Sequence, residues 1–387
     1  MYPPHHLGGY ELTWRSAVEH FRRAGHEVGI LTTDFRVAEP DSAFLEDPAT
    51  RRDLRWYWRD HEFPRISVRG RLALERHNGR VLDRQLRDDP PDVVNWWAMG
   101  GMSLSLIERV RRAGLPAVGV VGDEWMQYSP KVDAWYRMAV RLRGLAPVAG
   151  RLTGVPVGVD FGDGTWLFNS LATRDHAVRY SGFDLARSEV VHPGIDNSLF
   201  PSAPAREWGW RLLYVGRLDE RKGVDAAIAA LSHLPREATL RVLGSGDERY
   251  EAELRALCGR LGVDDRVEFG LLPRGDLPDA YAEADAVLFP VRWEEPWGLV
   301  PLESMAVGTP VVATGTGGSA EYLRDRENAL VVGRDARPTD LAAAVQTLAA
   351  DPDLRDKLRR HGLETAARYT EQGYNEAILA ALERAVA

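Results

Sequence analysis

The 387-residue sequence is short of several things, and each shortage excludes something. It has one cysteine, Cys258, so no disulfide can form within the chain, and a lone reduced thiol fits a reducing, cytoplasmic setting. No apolar run approaches about 18 residues and no signal-peptide pattern is present, so no membrane-spanning helix is expected. Metal-ligand patterns are missing too. The one Asp-x-Asp, Asp351-Pro352-Asp353, falls in a turn between helices, and Cys258 reads as a core residue of an amphipathic helix, so no metal is expected. Positive charge is not in excess: 57 acidic against 49 basic residues gives a net −8, which argues against general nucleic-acid binding. Lysine is scarce. Only Lys131, Lys222 and Lys357 occur among the 49 basic residues, leaving 46 arginines.

What the chain does have is alternation. In the second half, apolar runs at Arg211 to Val215, Thr239 to Leu243, Val267 to Gly270, Ala286 to Pro290 and Pro310 to Thr314 are separated by helical periods, among them Glu251 to Leu261, Leu277 to Ala284 and Leu299 to Val307. Such a pattern predicts an α/β, doubly wound parallel sheet covered on both faces. The first half repeats it less cleanly, with a helix over Glu11 to Ala24, strands at Glu27 to Thr33, Val93 to Met99, Ala117 to Val121, Thr165 to Phe168 and Val190 to His192, and helices over Leu104 to Ala113 and Leu171 to Tyr180. Length favours two domains, with a ligand in the cleft between them. Ligands of such sheets bind beyond the carboxyl ends of the strands, where Gly216, Gly244, Gly270, Pro290 and Gly315 fall. Gly244-Ser245-Gly246 and Gly315 to Gly318 resemble dinucleotide loops, but neither completes G-x-G-x-x-G at the first strand of a βαβ unit, so both read as close-approach turns.

Two groups of residues point to chemistry. Glu295 and Glu303 flank Pro-Trp-Gly-Leu-Val-Pro-Leu, the first on a loop and the second on the following helix. Gly298 lets the backbone approach a ligand, Pro301 suits a first helical turn, and the open N–H groups there can hold a phosphate. Glu303 would then accept hydrogen bonds from paired hydroxyls; a nucleotide-sugar supplies both parts. The second group is Gly216-Arg217-Leu218 at the end of a strand, with Lys222-Gly223 opening the next helix, which puts two cations where a diphosphate could lie.

Taken in order, these motifs resemble the retaining glycosyltransferases of family 4, which have the GT-B fold of two facing Rossmann-like domains. The stretch Glu295 to Glu303 is similar to their E-x7-E signature, Gly216 to Gly223 to their G-R-L-x-x-x-K-G segment, and His192-Pro193-Gly194-Ile195-Asp196 through Phe200 to their interdomain passage. The resemblance implies that Glu295 faces the donor sugar, Glu303 holds the ribose, and Arg217 and Lys222 bind the diphosphate. It implies donor contacts from Gly216, Gly270, Leu272, Trp297, Gly298, Leu299 and Val300, with the base held by backbone around Phe269 to Leu272. Tyr2-Pro3-Pro4-His5-His6-Leu7-Gly8-Gly9 resembles the family's glycine loop, with Gly8 and Gly9 approaching the donor diphosphate. Domains are expected over 1–205, on the acceptor side, and 206–370, on the donor side, with the last helix, Glu371 to Val386, crossing back to the first. No cofactor is implied beyond the nucleotide-diphosphate sugar, which is the donor substrate.

Two departures stand out. Family members begin with an apolar strand ahead of the Pro-Pro loop, whereas this chain opens inside the loop, so further residues are expected ahead of Met1. The family also has a histidine at the end of an N-terminal-domain strand, where this chain has Gly122 and Asp123; Asp123, Glu124, His5 or His6 are the candidates for its polar contact, with a helix-capping Asp123 as the alternative.

Charge is uneven. Residues 51 to 87 hold eleven arginines against Asp53, Asp60, Glu62, Glu75 and Asp83, interleaved with Trp56, Tyr57, Trp58 and Phe63. This stretch reads either as a salt-bridged surface insertion or as a contact for an anionic partner or membrane surface. Arg137, Arg141, Arg143 and Arg151 form a second basic stretch on the acceptor side. The reading is a metal-independent retaining transferase acting on a saccharide, lipid or secondary-metabolite acceptor. A GT-B nucleotide-sugar epimerase or hydrolase, and a non-catalytic GT-B partner subunit, are the alternatives.

Overall fold

A computed structural model describes residues 1–6, 8–38, 40, 44–58, 63–141 and 146–387; Leu7, Asp60, Glu62 and Arg143 lie outside the described residues. The chain divides into two compact units, Met1–Val191 with Asn375–Ala387, and His192–Tyr374.

The first unit contains α1 (Gly9–Arg23), β1 (Ile30–Thr33), β2 (Thr50–Leu54), α2 (Val68–Asp88), β3 (Val94–Trp97), α3 (Ser105–Arg112), β4 (Ala117–Val121), α4 (Trp125–Val132), α5 (Ala134–Arg141), α6 (Ala146–Thr153), β5 (Thr165–Phe168), α7 (Leu171–Tyr180) and β6 (Ser188–Val190). Its strands form two parallel sheets rather than one: β1 pairs only with β2, and β3-β4-β5-β6 run side by side, Val118 facing Thr165 across β4 and β5. Among the described strands none joins β1 to β3. The opening residues Tyr2 to His5 are buried, with Tyr2 edge-on to Trp14 at 4.8 Å between ring centres. Trp125, Trp166, Phe161 and Phe168 fill the core beneath β4 and β5.

The arginine-rich stretch 51–87 holds β2 and α2, which composition alone did not reveal. Helix α2 starts at a Ser67 cap whose hydroxyl accepts from Gly70 N–H, and it buries a partly polar face of Leu74, Glu75, Asn78, Gly79 and Leu82. Glu75 accepts hydrogen bonds from the Tyr57 and Ser105 hydroxyls, and Asn78 donates to Arg55 O and Ser103 Oγ. These partners satisfy groups that would otherwise be costly to bury.

The second unit contains β7 (Arg211–Val215), α8 (Val224–Ala230), β8 (Thr239–Leu243), α9 (Glu248–Leu261), β9 (Val267–Gly270), α10 (Leu277–Glu283), β10 (Ala286–Phe289), α11 (Leu299–Val307), β11 (Val311–Ala313), β12 (Leu330–Val331), α12 (Pro338–Ala350), α13 (Pro352–Arg368) and the start of α14 (Glu371–Val386). Six parallel strands take the order β12-β11-β10-β7-β8-β9. Every residue of β10 is buried, as a strand covered by helices on both faces requires. Cys258 is buried on α9, as its spacing suggested. The expected boundary near Ala205 falls inside this unit. Residues 192–203 are tied to it by a bridge between Ile195 and Thr370 and by hydrogen bonds joining Ala203 to Val307 and Arg359. Residues Asn375–Ala387 of α14 group with the first unit, where Asn375 Nδ2 bonds Ser16 Oγ at 2.9 Å.

Candidate functional site

In the second unit the loops after β7, β8 and β10 converge because glycine lets their backbones touch. Gly244, at φ +155°, lies so close to Gly216 that a Cβ on it would stand 1.9 Å from Gly216 O. Gly223, at φ +70°, meets Pro290 O as closely, at 2.0 Å. Only glycine fits either contact without displacement.

Between these glycines a single turn, Glu220–Lys222, aims Lys222. Asp219 caps it, accepting from Arg221 N–H at 2.9 Å and pairing with the Arg221 guanidinium at 2.8 Å. The Arg221 bond is the main reason the Asp219 carboxyl is held down at about 2. Arg217, exposed, is 4.0 Å from the same carboxylate. Lys222 Nζ lies 2.6 Å from Glu295 Oε2, which also accepts from Trp293 Nε1 at 2.9 Å. Both charged groups are largely shielded from solvent, a setting in which their attraction is stronger than at the surface. The Glu295 backbone is fixed as well, its carbonyl accepting from Gly318 N–H at 2.7 Å.

Three residues on, Gly298 adopts φ +86° as N-cap of α11, and no side chain caps the helix. Open N–H groups at such an end favour an anion. Glu303, 3 % exposed, is anchored from the far side of the turn: Arg274 Nη1 lies 3.1 Å from Oε1, and Tyr281 O–H donates to Oε2 at 2.8 Å. Burial, then the Glu303 charge, holds the Tyr281 hydroxyl far above its usual range, so it stays a donor.

Of the residues singled out from sequence, the second unit thus gathers Gly216, Arg217, Lys222, Glu295, Gly298, Leu299, Val300 and Glu303 around the ends of β7 and β10. Gly270 ends β9 and accepts from Gly244 N–H, and Leu272 is half-buried beyond it. Trp297 goes elsewhere: its ring is 2 % exposed and stacks on His192 at 4.5 Å, packing against Tyr322 and Tyr369 in the core beneath the turn. Sequence reading missed Trp293, Arg274 and Tyr281. Trp293 lies two residues before Glu295 and could have been noticed; Arg274 and Tyr281 reach Glu303 from other elements, at separations no motif records.

In the first unit, Gly8 is the N-cap of α1 and Gly9 its first residue, again without a side-chain cap. A Cβ on Gly9 would meet nothing within 4 Å, so the local fold does not demand glycine there. Asp123 follows β4, half-buried. It accepts from Trp125 N–H at 3.0 Å and from the Tyr128 hydroxyl at 3.3 Å, one residue ahead of Glu124, the N-cap of α4, which has no side-chain cap. Burial chiefly, with Glu11 and Glu124 nearby, pushes its carboxyl up to about 6. Gly122 is covered by Tyr10: a Cβ would stand 2.4 Å from that ring, so a larger residue cannot enter unless Tyr10 moves. Glu124 pairs with His176 at 3.2 Å. His5 is committed to Arg36 at 3.0 Å and to Val37 N–H at 3.3 Å, and burial with Arg52 and Arg36 lowers its pKa. Arg137, Arg141 and Arg151 are exposed.

Comparison with known proteins bears on this geometry. The family model for Glycosyl transferases group 1 matches residues 197–365, nearly all of the second unit. The D-inositol 3-phosphate glycosyltransferase of Kineococcus radiotolerans is 31 % identical over 300 residues, covering 69 % of this chain and 68 % of that protein. The chain belongs to the group 1 glycosyltransferases. The D-inositol 3-phosphate glycosyltransferase of Xylanimonas cellulosilytica is 36 % identical over 234 residues, 55 % of each chain. The matches span about half the length of the first such relatives. The sucrose-phosphate synthase structure from Thermosynechococcus elongatus superposes with a TM-score of 0.71 at 22 % identity, over 97 % of this chain and 93 % of that one. The architecture of two α/β units is that of the GT-B fold, and in this group 1 chain the Lys222, Glu295 and Glu303 cluster lies wholly inside the segment the family model matches.

Proposed function

We propose that the chain moves a sugar from a nucleotide-diphosphate donor to an acceptor hydroxyl, retaining the anomeric configuration and without a divalent metal. The observation that carries this reading is the Lys222 ammonium, 2.6 Å from Glu295 at the converged ends of β7 and β10, beside the uncapped start of α11. In this reading the diphosphate draws the Lys222 ammonium and the exposed Arg217 guanidinium, which together neutralise the charge that builds as the donor bond breaks. Leu299 and Val300 N–H groups face the same anion. Glu303, held by Arg274 and Tyr281, accepts the ribose hydroxyls, and Glu295 lies beside the sugar.

In the transfer step the bond from the sugar's anomeric carbon to the diphosphate oxygen breaks, its electron pair leaving with the diphosphate. The acceptor oxygen bonds to the same face of that carbon, and its proton passes to the departing phosphate oxygen. The protein's share is position and electrostatics. Gly8 and Gly9 are proposed to offer α1 N–H groups to the donor. Asp123, just ahead of α4, is proposed as a polar contact to substrate in place of a histidine.

A panel of nucleotide-sugars, each incubated with and without candidate acceptors including D-inositol 3-phosphate, tests the reading. The expected result is nucleotide-diphosphate release that requires an acceptor and yields a glycosylated product. Release without acceptor would favour a hydrolase, an isomerised sugar an epimerase, and inertness with every pair a non-catalytic subunit.

A further inference from the structure

Helix α2 carries an unusual exposed face. Arg69, Arg76, Arg80, Arg84 and Arg87, with Ala73, recur at three- and four-residue steps, and every one of them is exposed. That periodicity puts them in one stripe along the helix. At 1.5 Å per residue the stripe is about 27 Å long. Solvated helix faces normally mix signs, as pairs three or four residues apart stabilise each other. Here, among the described residues, none of the five is in an ion pair. Arg76 and Arg80 donate only to backbone carbonyls, of Thr153 and Arg76 respectively. A protein of net charge −8 thus concentrates unpaired arginine on one helix.

An apolar feature lies beside it. The Arg76 guanidinium bonds Thr153 O at 2.8 Å and so ties the end of α6 to the stripe. On α6, Val148 and Leu152, four residues apart and on one face, are 56 % and 77 % exposed, next to exposed Arg151. Val68, at the start of α2, is 58 % exposed.

We propose that this α2–α6 face docks the chain on an anionic membrane surface, the arginines meeting lipid phosphates while Val148 and Leu152 enter the headgroup region. Arginine forks match phosphate oxygens, and their long stems can lie along apolar surface. The exposed aliphatic pair separates a bilayer from a soluble acidic polymer, which would attract the arginines but gain nothing from leucine. Attraction falls off within a Debye length, so the local stripe, not the negative net charge, governs contact.

Co-sedimentation of the full chain with vesicles tests the proposal, using equal parts phosphatidylcholine and phosphatidylglycerol against phosphatidylcholine alone. Binding is expected only to the anionic vesicles and should weaken as salt is added. The variant R80Q/R84Q/R87Q, which spares the Arg76 bond to α6, should bind roughly a hundredfold more weakly. The variant V148S/L152S should lose roughly tenfold. Both substitute exposed side chains, and circular dichroism establishes that each remains folded. Equal binding to neutral and anionic vesicles by the unaltered chain, or unchanged binding by the arginine variant, overturns the proposal. So does arginine-dependent binding that V148S/L152S leaves untouched, the pattern of an acidic polymer.

Discussion

Lys222 is one of three lysines in the chain, and its position accounts for a lysine where arginine is otherwise the rule. An ammonium on a flexible stem can leave Glu295 for a phosphate oxygen, whereas a planar fork held between Glu295 and Trp293 could not turn so freely. Lys222→Ala and Glu295→Ala are each expected to cut transfer by roughly two to three orders of magnitude. Nucleotide-diphosphate binding, measured by calorimetry, should weaken for Lys222→Ala and change little for Glu295→Ala; unaltered binding in Lys222→Ala would remove the diphosphate role. The same substitution strands the nearly buried Glu295 with Trp293 as its one remaining side-chain donor among the described residues, so the melting temperature should fall, and the double variant K222A/E295Q should recover melting but not transfer. Asp123 gives a pH test. Its carboxyl is held at about 6 against a usual 3.8, so the folded chain keeps a proton that the unfolded chain releases. This group's contribution to stability therefore falls as pH rises from about 4 to about 6 and is level above that. D123N, which keeps an acceptor for Trp125 N–H, should gain on the unaltered chain in thermal melts between pH 4.5 and pH 6; a gap independent of pH would refute the shift. At this scale the sequence disclosed what spacing can hold: Glu295, Glu303, Arg217 and Lys222 are set by one strand-to-helix turn each. Arg274 and Tyr281 were hidden because their partnership with Glu303 is made by packing across elements, and Trp297, within the motif, points into the core instead.

Among the elements, β7 to β11 were readable because buried parallel strands must be continuous apolar runs, and the run lengths alone bound them within a residue or two. Helix α2 was not, since its buried face contains Glu75, Asn78 and Gly79, whose polar needs are met by Tyr57, Ser105, Arg55 and Ser103 from elsewhere. A hydrophobic pattern cannot report such a face. Likewise the lone β1–β2 pair is four and five residues long, and β2 reads Thr-Arg-Arg-Asp-Leu, with no apolar alternation beyond its last residue. The turns ending these elements separate glycines the fold requires from glycines it does not. Gly244→Ala must displace Gly216 or distort its own backbone, and should lower stability by about 1–3 kcal/mol or more. Gly9→Ala meets open space at the first position of α1 and should leave the melting temperature unchanged or slightly higher, while weakening donor binding through the added methyl at the proposed N–H contact. Equal donor affinity for Gly9→Ala and the unaltered chain would remove α1 from the donor site.

For the molecule as a whole, the stereochemistry of transfer follows from which groups surround the reacting carbon. An inverting transferase attacks from the face opposite the diphosphate and needs a base there to take the acceptor proton. In the second unit, Glu303 is held by Arg274 and Tyr281 and is proposed to take the ribose, and Glu295, which keeps its bond from Trp293 when Lys222 turns to the diphosphate, is proposed to lie beside the sugar, so neither carboxylate is proposed as that base. In the first unit, the two Asp123 oxygens accept from Trp125 N–H and the Tyr128 hydroxyl. On the proposed reading the departing phosphate is then the acceptor of the proton, which would confine attack to its own face and retain configuration. The proposed reading gives charge neutralisation to Arg217 and Lys222, so transfer is expected to survive EDTA; loss on chelation with recovery on adding Mg²⁺ or Mn²⁺ would transfer that role to a metal. Proton NMR of the new glycosidic linkage decides the stereochemistry. An α-linked donor should give an α-linked product, and D123N should leave that outcome unchanged. A β-linked product would mean that a base, Asp123 foremost, acts on the opposite face, and the same-face mechanism would fall with it.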